Sequence, residues 1–280
     1  DALPIFKFLK KTIQNNLKVD FLLVFDKNYP ELAGLENVKI IKTSLDDFFS
    51  QFSHYNGERI GGYKIADLQP YLGHLYSERI KNYKFWGHID HDAVYGDISY
   101  FLTDNFKGLS PSKIGRHGHF TVYDVGHYQD CISSVMDYQG FNSYRNIFKY
   151  PIHMGHDEAS GIERIYSKLS MQVGNVKYID IAPFKNGEYL NLSDSEKLQY
   201  PITYDGKSFI NNNIKYLYIH FQKRTFNSYN VRKDGAFCSQ EKLSGRKFSI
   251  HKQSISHIFY RLRMLLKSFK YKLYRIGDIL

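Results

Sequence analysis

Short apolar runs alternate with segments of helical spacing through the first half of the chain, and no other feature limits the fold as much. VDFLLVFD (19–26), NVKIIKTS (37–44), KFWGHID (84–90) and SKIGRHGHFTVYDV (112–125) read as strands. Between them, DALPIFKFLKKTIQNN (1–16), LDDFFSQF (45–52) and HYQDCISSVMDY (127–138) read as helices. So does 65–83, with Leu68, Leu72, Leu75, Tyr76 and Ile80 on one face. Strands alternating with helices favour an α/β sheet. The second half has fewer helical patterns and two more strand-like runs, VKYIDIAPF (176–184) and IKYLYIHFQKR (214–224).

At 280 residues and 42% hydrophobic content, the chain can build one large domain with a small appendage. Its 24 Tyr and 21 Phe argue against disorder and suit stacking on sugar rings, although core packing uses most aromatics in any protein. Cys131 and Cys238 make no disulfide framework, which points to a reducing cytoplasm. No signal peptide is apparent, and no apolar run reaches the roughly 18 residues of a membrane span.

The net charge of +10 is uneven. From Arg246 onward there are nine Lys or Arg and one acid, Asp278, so this tail carries +8 and the rest only +2. The near-neutral body lacks a broad basic face for nucleic acid. In the tail, Ile255, Ile258, Phe259, Leu262, Leu265, Leu266, Phe269, Leu273 and Ile276 fall on one helical stripe among the basic residues. Packing on its own domain or on a partner protein would use such a stripe. The favoured reading is a helix lying on an anionic membrane surface.

The chemistry concentrates in a few places. Asp90 and Asp92 follow the apolar strand 84–90, with Asp97 close behind. Two carboxylates at a rigid strand end suit Mg²⁺ or Mn²⁺ sharing a phosphate, although Asp-X-Asp also occurs in plain solvated turns. Lys64 and Asp67 open the helical segment that leads into this strand. His220 ends another strand, with Lys223 and Arg224 behind it, as a metal-binding imidazole and two phosphate-binding cations would. HMGHDEASG (153–161) gathers His153, His156, Asp157 and Glu158, and a carboxylate there can serve as a general base. His117 and His119 flank Gly118, where a tight strand start is the simpler expectation.

Taken together, YKIADLQPYLG and YKFWGHIDHDAVYGDI resemble a group of bacterial capsule and surface-polysaccharide glycosyltransferases. The resemblance rests on Tyr63, Lys64, Asp67, Pro70, Gly73, Phe85, Trp86, Gly87, Asp90, Asp92, Gly96 and Asp97, and covers roughly residues 1 to 230. It implies a GT-A fold, a Rossmann-like mixed sheet binding a nucleotide-diphospho-sugar, UDP-linked in first expectation. By carry-over, Asp90, Asp92 and His220 hold Mn²⁺ or Mg²⁺, Lys64 and Asp67 face the nucleotide, and Asp157 or Glu158 sits at the acceptor. The acceptor would be a glycan or a lipid-linked molecule at the inner face of the membrane. Such proteins usually open with an apolar strand, so a further strand is expected ahead of residue 1. The division expected is 1–230 as the transferase domain and 231–280 as linker and basic amphipathic helix. Two other readings stay open. One is a metal-dependent hydrolase using His88, His91, His153 and His156 with the aspartates. The other is a non-enzymatic membrane-surface protein acting through its tail.

Overall fold

A computed structural model describes residues 3–180, apart from short breaks at 28, 31, 58–61, 106–110, 141–142, 151–152 and 159–160, together with 202–220 and 236–238. The basic tail, Lys223 and Arg224 lie outside the described residues.

Helix α1 (Leu3–Asn15) leads to β1 (Phe21–Phe25), which pairs in parallel with β2 (Val38–Lys42). The last carbonyls of α1 need donors, and the buried Asn37 supplies them. Its amide donates to Ile13 O, Asn16 O and Val19 O at 3.2, 3.1 and 3.0 Å. Asn16 then reaches the segment that follows the acidic strand. It donates to Gly96 O at 2.8 Å and accepts from Ile98 N at 2.7 Å. Helix α2 (Leu45–Ser50) starts at Ser44, whose hydroxyl accepts from Asp47 N, and it buries Phe48 and Phe49.

The span 65–83 does not fold as one helix. It forms α3 (Ile65–Leu68), a 3₁₀ turn at Gln69–Tyr71, α4 (Leu72–Leu75) and α5 (Ser77–Ile80). Pro70 removes a helical donor and crowds the preceding turn. At Gly73 a Cβ would lie 2.2 Å from the Trp86 ring, so this turn is shaped to seat the tryptophan. Of the expected apolar face, Leu68 is buried and Leu72, Leu75, Tyr76 and Ile80 are partly buried, while Tyr71, outside that face, is fully buried.

Next come β3 (Phe85–Ile89), β4 (Ala93–Tyr95), α6 (Ile98–Asn105), β5 (Lys113–His117), β6 (Phe120–Asp124), α7 (Val125–Asp137), α8 (Tyr144–Lys149) and α9 (Ile162–Lys168). After them lie β7 (Val173–Gly174), β8 (Tyr178–Asp180), β9 (Ile202–Tyr204), β10 (Phe209–Asn211), β11 (Ile214–Tyr216), β12 (Tyr218–His220) and β13 (Ala236–Cys238). The architecture is mixed α/β. One sheet has the order β3-β6-β5-β7, a second β4-β12-β8 and a third β11-β10-β9-β13, beside the β1-β2 pair.

Two predicted strands are each two strands. The run 112–125 is the antiparallel hairpin β5–β6, turning at Gly118 and His119. The run 214–224 breaks at Leu217, where the chain passes from β11 in the third sheet to β12 in the second. Leu217 bonds Lys177 O through its N–H and Gly96 N through its carbonyl, which fixes the crossing point.

The β3-β6-β5-β7 sheet divides two cores. Phe85, Ile89, Ile114, Phe120 and Val122 face one, with α1, β4, β8 and β12. Trp86 and Tyr123 face the other, with α7, α8 and α9. Strand β1 touches both, through Leu23 and Phe25 on one side and Val24 on the other, as β3 does. Near the starts of these strands the Tyr83 hydroxyl donates to the Asp20 carboxylate. Among the described residues β1 and β3 do not pair with each other. No helix among the described residues is long and apolar enough to cross a membrane.

Candidate metal centre and its carboxylate loop

Strand β3 delivers the first carboxylate. Its ladder with β6 runs one residue past Ile89, with Asp90 N bonded to His119 O at 3.1 Å. The chain then turns through His91 and Asp92 into β4, which pairs antiparallel with β12 and sets His220 opposite Ala93. One ligand atom from each of Asp90, Asp92 and His220 lies within 4.8 Å of the others. His220 Nε2 is 3.4 Å from Asp92 Oδ1, and Gln69 Nε2 donates to Asp90 Oδ1 at 3.1 Å.

Burial, then the charge of Asp92, raises the Asp90 carboxyl above its ordinary range. Two carboxylates and an imidazole held this close are a donor set that a divalent cation would relieve of its repulsion. The residues therefore fit Mn²⁺ or Mg²⁺.

His119 backs this group. Its ring stacks on His220 at 4.3 Å, and its Nδ1 bonds the Tyr218 hydroxyl at 2.7 Å. Desolvation, followed by the neighbouring imidazoles, pulls His119 well below its ordinary value, so it is neutral. His117 stacks on His119 in turn, at 5.3 Å. The simpler expectation for the GRHGHF segment, a tight strand start, understates it, because these histidines form a wall of the site.

That wall ends at the loop 153–158. His117 Nδ1 lies 3.2 Å from Glu158 Oε2, with 37% and 41% of the two side chains exposed. Burial would raise Glu158, but the bond and charge of His117 hold it below the ordinary range. Asp157 differs from its neighbour. It is buried, and burial pushes its carboxyl up to about 6 against the opposing bond from His153. At Gly118 a Cβ would lie 2.0 Å from Asp157 Oδ2, so the hairpin turn presses its backbone against this carboxylate.

The loop is held from below by Asp67. Its Oδ1 accepts from His156 N at 2.7 Å and its Oδ2 from Met154 N at 2.8 Å. Lys64 Nζ sits 2.9 Å from Oδ2. Burial alone would raise Asp67. The charges of Lys64 and His153 and the two backbone bonds more than offset it, so the carboxyl is lowered and ionised. The resemblance places Lys64 and Asp67 against the nucleotide. In the fold their side chains are 1% and 0% exposed; Asp67 binds the loop backbone and Lys64 binds Asp67.

Asp67, His153 and Asp157 form a second group with ligand atoms within 4.8 Å. Here the cation is already part of the protein, because the Lys64 ammonium neutralises Asp67. Other sequence candidates have structural roles or lie apart. His156 is buried, bonded to Tyr71 OH at 2.7 Å and pushed down to about 4 by desolvation. His91 is exposed. His88 is buried and pushed down to about 3, first by desolvation and then by Lys113. Asp97 caps α6, accepting from Tyr100 N at 2.8 Å.

A model for a family of unknown function, DUF6625, matches residues 3–256. The chain belongs to this family. The DUF6625 match takes in both carboxylate groups and runs past residue 230, where the resemblance to glycosyltransferases stops. No curated protein matches the chain, nor does any solved structure.

Gln69 and Tyr218, which support the candidate group through Asp90 and His119, were not singled out in the sequence. Gln69 lies inside ADLQP, next to residues already singled out. Tyr218 sits two positions before His220, the spacing that puts both side chains on one strand face.

Proposed function

We propose that the chain is a metal-dependent glycosyltransferase, with its α/β architecture read as a GT-A fold. The observation that carries this is the convergence of Asp90, Asp92 and His220 from two separate strand ends. These residues would hold Mn²⁺ or Mg²⁺, which supplies charge to neutralise a nucleoside diphosphate as it leaves. The sugar donor is a nucleotide-diphospho-sugar, UDP-linked in first expectation. Glu158, half-exposed at the far end of the histidine wall, receives the proton of the acceptor hydroxyl. The bond from the anomeric carbon to the diphosphate breaks, and the bond to the acceptor oxygen forms. A base placed this way favours inversion. Asp157 lies too deep to meet an acceptor and supports the loop. Lys223 and Arg224 bind diphosphate oxygens.

The acceptor is a glycan or lipid-linked molecule, reached at the inner face of the membrane through the basic tail. Cutting the chain before Arg246 should then abolish binding to anionic vesicles and leave donor binding unchanged. A hydrolase built on His88, His91, His153 and His156 has less support, because none of the four joins Asp90 and Asp92, and His153 lies with Asp67 and Asp157 instead.

The deciding experiment is calorimetric titration of the full chain with a set of UDP- and other nucleotide-sugars, with and without Mn²⁺. Metal-dependent binding of at least one sugar nucleotide is expected. Binding that ignores the metal, or ignores Asp92→Asn, rejects the reading.

A further inference from the structure

Behind the carboxylate loop, the sheet carries a polar patch that the proposed chemistry does not use. Trp86, Tyr123 and Lys113 lie side by side across β3, β6 and β5. The His88 ring is 6.1 Å from that of Tyr123, and Lys113 Nζ is 5.5 Å from the Tyr166 ring of α9. Lys113 is 0% exposed. Its Nζ has no hydrogen-bonding partner on the protein, and neither do both His88 nitrogens, Trp86 Nε1, the hydroxyls of Tyr123 and Tyr166, and Glu163 Oε2. The other Glu163 oxygen is taken by Arg116 at 3.1 Å.

Buried polar atoms are almost always satisfied, so such a concentration calls for an occupant. An anion would suit the donors but not the surroundings. Glu163, Glu158 and Asp157 already place carboxylates around Lys113. The patch contains donors, in Lys113, Trp86 and the tyrosines, and acceptors, in Glu163 and one His88 nitrogen. Only a molecule that both donates and accepts serves all of them.

We propose that ordered water molecules bridge Lys113 Nζ to Glu163 Oε2, Tyr166 OH and His88, forming a buried hydrated cluster between the sheet and α9. The cluster would solvate the fully enclosed ammonium beneath the loop that carries Asp157 and Glu158. Burial does pull Lys113 down, to about 8, which still leaves it mostly charged at neutral pH. Such a cluster is independent of whether the chain transfers sugars.

Two measurements test it. A high-resolution crystal structure of the full chain should show water density within hydrogen-bond distance of Lys113 Nζ and of at least one other atom of the patch. Lys113→Met should lower the melting temperature by several degrees, because it strands Glu163 and the bridging water. Tyr166→Phe should lower it less. The alternative reverses the sign. A bare buried ammonium replaced by a well-packed methionine raises stability. A Lys113→Met chain that melts at the parent temperature or above overturns the proposal. If that variant does not fold, the density decides alone, and a direct Lys113–Glu163 contact or dry apolar packing overturns it.

Discussion

Two groups of the same kind sit at opposite ends of one histidine wall. Each has two aspartates and a histidine with ligand atoms within 4.8 Å. Around Asp67 the protein has completed the electrostatics itself, with an ammonium 2.9 Å away and two backbone N–H donors. Around Asp90 the described groups differ. A glutamine amide donates to it, and burial followed by the charge of Asp92 raises it. Spacing of residue types does not separate a scaffold from a cation site. What marks the difference is the Lys64 ammonium on Asp67 and the raised carboxyl of Asp90.

The contrast can be broken by mutation, most sharply at Asp67. Asp67→Ala takes from the buried Lys64 its carboxylate at 2.9 Å and from the loop backbone two acceptors, and should cost about 3–5 kcal/mol of stability in a denaturant melt. Mn²⁺ affinity of the folded fraction should not move. A loss of metal binding matching that of an Asp92 variant would erase the distinction. Asp92→Asn should do the reverse, weakening Mn²⁺ binding by about 100-fold or more while the melting curve stays within error.

The pH dependence sharpens the comparison next. The folded value of Asp157 is about 6 against an ordinary 3.8, so the folded chain holds this proton more tightly than the unfolded chain. Its stabilising effect is therefore greatest in acid and is lost as pH rises from about 4 to 6. Keeping it ionised and buried at neutral pH costs on the order of 2–3 kcal/mol. Asp157→Asn should recover much of that and flatten the stability curve over this window. A variant with the parent's slope would mean that Asp157 is not the group responsible. The smallest effect is expected at Tyr218→Phe, which removes one hydrogen bond to His119. It should cost about 1 kcal/mol and weaken Mn²⁺ binding only a few-fold.

What the sequence disclosed follows the range of the physics involved. Asp90, Asp92 and His220 could be singled out because a strand that ends in a carboxylate or an imidazole is a local pattern. Their meeting was not, since it depends on β4 and β12 pairing across distant chain. Helices α8 and α9 were hidden in a polar, tyrosine-rich stretch, yet Tyr144, Ile147 and Phe148, and Ile162, Ile165 and Tyr166, keep the helical step and are all buried. The break at Leu217 was illegible, because both halves of IKYLYIHF read equally well as strand. The burial of Lys64 and Asp67 ran against expectation for charged residues. It follows from the need of the 153–158 backbone for an acceptor, which no window around residue 64 can reveal.

Trp86 carries one more consequence. It is the chain's single tryptophan, stacked at 4.9 Å on Tyr123 and seated on Gly73 in the strand that ends at Asp90. Intrinsic emission excited at the red edge of indole absorption therefore comes from one place, the strand that leads to the paired aspartates. Its wavelength and quenching by acrylamide give an optical readout of that strand's integrity without any label. In each variant above, loss of a ligand can thus be told from loss of the strand that presents it.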